Sequence, residues 1–165
     1  GPLGAYEEKL WPHLERAHGR ITAESVMSGP GLERLHAALL AMLSADPQGF
    51  SATQITKAGV AAEGLERMSL ALLWRLVARF SGDMALAFCA RGGVTLAGGI
   101  LPRLTSLIDD DAFRAAFEDK APMGALVAGI QTRLIVADHA ALSGMAAIGA
   151  APERYAIDYS SRLWR

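Results

Sequence analysis

Gly92-Gly-Val-Thr-Leu-Ala-Gly-Gly-Ile-Leu-Pro-Arg103 decides the fold. Its centre, Val94 to Ala97, is a short run suited to extended backbone, and it stops at the pair Gly98-Gly99. A long helical pattern precedes it, from about Glu63 to Ala90. Leu65, Met68, Leu72, Leu76, Phe80, Met84 and Phe88 recur there every three or four residues. Gly82 inside that pattern either weakens the helix or lets a neighbour come close. Arg91-Gly-Gly93 ends it. Downstream, helical patterns over 101–108, 110–118 and 123–129 lead to a second extended run, Arg133 to Val136. Two extended runs joined by helices predict a parallel pair with a right-handed crossover, in a sheet containing 93–97 and 132–136. A small-residue helix over Ala140 to Gly149 follows. The fold class is therefore α/β, helix-rich, with a small parallel sheet.

Upstream, residues 6–18 predict a helix with an acidic start, Glu7-Glu8, and a basic end, Arg16 and His18, an order that suits the helix dipole. Leu10, Trp11 and Leu14 share one face, and Gly19 is placed to cap the end. Thr22 then reads as the N-cap of a short helix that stops near Ser28. Gly29-Pro-Gly31 breaks it. Leu32, Leu35, His36, Leu39, Leu40 and Leu43 form the next apolar face. After the turn Asp46-Pro-Gln-Gly49, Ser51 can cap a helix containing Ile55 and Val60. Gly1-Pro-Leu-Gly4 has the composition of a cleaved affinity-tag remnant. The domain then covers residues 5–150, with a tail over 151–165.

The chain has 165 residues, of which 52% are hydrophobic, enough for a sizeable core and too apolar for disorder. A formal net charge of −1 gives no basic footprint for nucleic acid. No apolar run approaches the length of about 18 residues that a membrane helix needs, so no membrane partner is expected. Cys89 is the only cysteine and lies in an apolar stretch, where it reads as a small core side chain. It excludes an internal disulfide, which fits a reducing compartment, the cytoplasm. Four histidines, His13, His18, His36 and His139, have no metal-ligand spacing, and no metal site is expected.

Three segments carry a resemblance. Thr22-Ala-Glu-Ser-Val-Met-Ser-Gly-Pro-Gly-Leu32, the Gly92–Arg103 stretch and Phe113-Arg-Ala-Ala-Phe-Glu-Asp-Lys120 occur in this order in the bacterial ATP-dependent glucokinases, which the chain resembles over residues 6–150. Read alone, Glu24 is an ordinary first-turn glutamate and Gly98-Gly99 a tight turn. The resemblance implies more. Glu24 falls where the family's glutamate accepts hydrogen bonds from sugar hydroxyls. Gly98 and Gly99 fall where a glycine pair lies against the adenosine of ATP. Phe113 to Lys120 marks kinship without chemistry: Phe113 and Phe117 are one turn apart, and Arg114 and Glu118 form an i, i+4 pair. His139-Ala-Ala-Leu-Ser-Gly144 departs from the family's Asn-Pro-x-Leu-Leu-Gly.

The resemblance also implies a protein of about twice this length, the chain being its C-terminal half within a ribonuclease-H-like, actin-like ATPase fold. The Asp-x-Gly-Gly-Thr phosphate loop, the Asn-Asp pair with the catalytic base, and the Glu-Gly-Gly-His motif are not in this sequence. No catalytic residue is therefore assigned within the chain, and the chain alone is expected to be inactive. ATP and Mg²⁺ would be held largely by the N-terminal half. Glucose, ATP, that half and further copies of the chain are the expected partners. One β-strand edge should be left bare. The alternative reading is a sugar-sensing or interaction module of a transcriptional regulator.

Overall fold

The computed structural model describes residues 1–107 and 109–155. It divides into two compact units, residues 1–134 and residues from 135 onward. The last ten residues of the expected tail lie outside the described part.

The first unit begins with helix α1 (Gly4–Leu10) and a 3₁₀ turn (Trp11–His13). Its expected continuation to residue 18 is broken at Pro12, whose missing N–H cannot sustain a helix interior. Thr22 caps α2 (Ala23–Val26) by accepting from the Ser25 N–H, and Ser25 returns the contact to the Thr22 N–H. Ser28 caps α3 (Gly29–Met42), where Pro30 takes an early position that needs no donor. Ser51 caps α4 (Ala52–Ala61) in a second capping box with Gln54. The long pattern is one helix, α5 (Leu65–Ala87). It ends before Arg91-Gly-Gly93, because Cys89 takes the left-handed conformation (φ 48°) that glycine usually supplies. Cys89 is exposed, which corrects its reading as a core side chain.

The sheet is as small as the sequence suggests. Strands β1 (Val94–Leu96) and β2 (Thr132–Leu134) are parallel, with Val94 opposite Thr132 and Leu96 opposite Leu134. Between them run a 3₁₀ stretch over 101–107, α6 (Asp110–Glu118) and α7 (Gly124–Ala128). Among the described residues β1 pairs only with β2, and its other edge has no strand beside it. Two apolar clusters meet along α5. Leu10, Leu32, Leu35, Leu39, Ile55 and Leu73 belong to the larger one. Ala78, Ala85, Phe113, Phe117, Val127 and Ile130 form the other.

The second unit contains α8 (Ala140–Ala150) and α9 (Pro152–Tyr155). α8 is apolar around its circumference, yet Leu142, Met145 and Ile148 are all at least half exposed. No helix among the described residues is long and apolar enough to cross a membrane.

Candidate functional site

The carboxyl end of β1 opens into a cleft of about 310 Å³. One wall is the joint between α2 and α3, with Met27, Ser28 and Gly29. Leu73 and Val77 of α5 form the apolar floor. The opposite wall is the turn after β1, with Ala97, Gly98 and Gly99. Ligand sites in α/β folds favour such strand ends.

The glycines around this cleft have separate causes. A Cβ on Gly31 would stand 2.5 Å from the Val26 carbonyl carbon, so Gly31 is required by the tight α2–α3 joint. Gly98 has φ +137°, a conformation that side chains rarely adopt. Gly99 has neither constraint. A Cβ there would meet nothing of this chain within 4 Å. Packing within this chain does not ask for glycine at residue 99, which lines the cleft.

Glu24 lies on α2, exposed, three residues before the cleft wall begins at Met27. The structure thus brings Gly98 and Gly99 together with the end of the Thr22–Leu32 segment, while Glu24 is not among the residues lining the cleft. No cluster of three or more His, Cys, Asp or Glu residues suited to a metal ion occurs among the described residues.

A larger hollow, about 520 Å³, lies between α5 and the start of α6, lined by Leu70, Trp74 and Leu104 among others. It is a weaker candidate despite its size, because most of its polar lining is already committed. Trp74 Nε1 donates to the Asp109 carbonyl at 3.3 Å. Arg67 donates to the carbonyls of Gly59 and Val60. Arg75 pairs with Glu7 at 3.1 Å.

The Phe113–Lys120 segment is structural. Phe113 stacks near Phe117, with ring centroids 6.0 Å apart, and lies 4.8 Å from the Trp74 ring. Arg114 bonds to Glu118 as its spacing predicts. It also donates to the carbonyls of Ala128 and Ile130, tying the end of α7 to α6. Its guanidinium lies 4.7 Å over the Phe117 ring.

The fold has a solved counterpart. A crystal structure of glucokinase from an Antarctic psychrotroph superposes with a TM-score of 0.79 and 29% sequence identity, over 89% of this chain and 46% of that one. The class this defines is the actin-like ATPase fold, present here as a helix-rich portion with two parallel strands. Within that class the chain belongs to the glucokinase family, which it matches over residues 1–152. A glucokinase of Chelativorans sp. (strain BNC1) is 39% identical over 166 residues, and one of Brucella suis biovar 1 (strain 1330) is 38% identical. In both cases all of this chain aligns, with 48% of the relative. The chain spans about half the length of the curated relatives it matches.

Proposed function

We propose that the chain is the C-terminal part of a glucokinase that transfers the γ-phosphoryl group of ATP to the 6-hydroxyl of glucose. The observation that carries this reading is the open space beside Gly99 at the end of β1, in a chain of the glucokinase family. Backbone stripped of side chains at Gly98 and Gly99 fits the flat approach of an adenosine, with Leu73 and Val77 as an apolar floor. Bound Mg²⁺–ATP supplies the phosphoryl group and neutralises its charge. Glu24 is the sugar-binding residue in this reading: an ionised carboxylate accepts from two hydroxyls and rejects analogues that lack them. The base and the phosphate loops come from the N-terminal half. The chain alone therefore does not turn over, and robust activity of the purified chain in a coupled assay would refute that division. The working protein is cytoplasmic and oligomeric.

The test is glucose titration of the full-length protein and its Glu24→Gln variant. Loss of a charge-assisted hydrogen bond costs about 1.5–3 kcal/mol, a dissociation constant higher by roughly 10- to 150-fold. Equal dissociation constants would remove Glu24 from the sugar site. A loss in kcat larger than the loss in affinity would move its contribution to the transition state.

A further inference from the structure

His36 is on the buried face of α3, 1% exposed, against Ser69 of α5, which is fully buried. Its Nδ1 lies 3.0 Å from Ser69 Oγ. That hydroxyl also lies 2.9 Å from the Leu65 carbonyl oxygen, which can only accept. The single hydroxyl proton therefore goes to Leu65, and Ser69 Oγ accepts from His36 Nδ1–H. This fixes the neutral tautomer and leaves a lone pair on Nε2. Among the described residues Nε2 is buried without a hydrogen-bond partner, and the ring stacks on Phe50 at 6.0 Å with a tilt of 9°.

A neutral lone pair without a donor is tolerable in such a place. A cationic N–H without an acceptor is not, because a buried charge needs both a partner and hydrogen bonds. The surrounding charges do not repair this. Glu66 on α5 favours the cation, but burial outweighs it and holds the imidazole below its ordinary value. On α3, Glu33 spends its carboxylate on the Ala52 N–H at 2.8 Å. On α5, Arg67 points to the carbonyls of α4. Lys57 of α4 and Asp46 of the Phe50-bearing loop are exposed.

We propose that His36 is an acid-sensitive latch, whose protonation at Nε2 releases α3 and the Phe50 loop from α5. The head of α3 carries Ser28 and Gly29, so the release reaches one wall of the cleft after β1. The sign follows from linkage. The unfolded chain takes up the proton at about pH 6.5, before the folded chain does. The latch is closed above that pH, and its contribution is lost as pH falls through the lower folded value.

Urea unfolding of the chain and of His36→Phe, from pH 7.5 to 5.0, tests this. A one-proton difference changes the unfolding constant up to about tenfold per pH unit. The wild type should show that extra dependence below pH 6.5 and the variant should lack it. The other three histidines are exposed and common to both proteins. Identical pH dependence in the two proteins would overturn the latch. If His36→Phe does not fold, nitrogen NMR of the wild-type imidazole decides instead. Nδ1 protonated and Nε2 bare down to the acid transition supports it. A proton on Nε2 at neutral pH, or titration of the ring without loss of structure, overturns it.

Discussion

Glu7 is almost completely buried, and two arginines of α5, Arg75 and Arg79, hold it there. Arg79 donates two bonds of 2.9 Å to its Oε2, Arg75 approaches Oε1 at 3.1 Å, and the Leu3 N–H adds a fourth contact at 2.8 Å. Burying a carboxylate is costly, so the clamp fixes the position of α1 more than it adds net stability. Removing one partner is another matter, since the Arg79 side chain is only 14% exposed and would be left without its anion. Glu7→Ala is expected to lower stability by about 3 kcal/mol, read by urea unfolding at neutral pH. A loss below about 0.5 kcal/mol, the range of ordinary surface changes, would make the clamp dispensable. A signal for this burial exists in the sequence. Glu7 is three residues before Leu10 and seven before Leu14, on their apolar face, but acidic residues near a helix start invite the dipole explanation first. Cys89 escapes for the opposite reason. Its apolar neighbours place it in a core, and only the chain's need for a left-handed residue after α5 brings it to the surface.

Among elements, α5 is the most legible, because consistent apolar spacing over its 23 residues leaves little room for another structure. The strands are legible as three-residue runs, with ends one or two residues shorter than their composition suggests. The contact between α5 and α6 is not legible. Gly82 fits either a weak point or a close approach, and the structure selects the approach. A Cβ there would collide with the Phe117 carbonyl oxygen and lie 2.8 Å from Lys120 Cε. Lys120 in turn pairs with Asp83 at 3.3 Å, closing the contact from the side. In an isolated helix Gly→Ala gains about 1 kcal/mol. Here the backbone oxygen cannot swing aside as a side chain can, and overpacking costs about 1–3 kcal/mol or more. Gly82→Ala is therefore expected to destabilise by about 1–2 kcal/mol in chemical denaturation. A stabilised variant would show that α6 can shift. The cleft is partly legible too: strand and glycine pair are visible in the sequence, but the α2–α3 wall meets them only through the tertiary packing of α3 on α5.

At the scale of the molecule, α5 borders both apolar clusters. Leu70, Leu72, Leu73 and Leu76 face the larger one, and Ala78 and Ala85 the smaller. Opening either cluster uncovers only part of the helix, while the rest remains packed. Its backbone amides between about residues 72 and 85 should therefore exchange with deuterium only when the first unit unfolds as a whole. The amides of α8, whose side chains are exposed from Ala141 to Ala150, should exchange much sooner. Mass-resolved exchange of peptides spanning the two helices distinguishes them, and equal rates would show that α5 opens locally. Protected in this way, α5 is the last part of the unit open to a protease, and a nick elsewhere would leave fragments still held together by it.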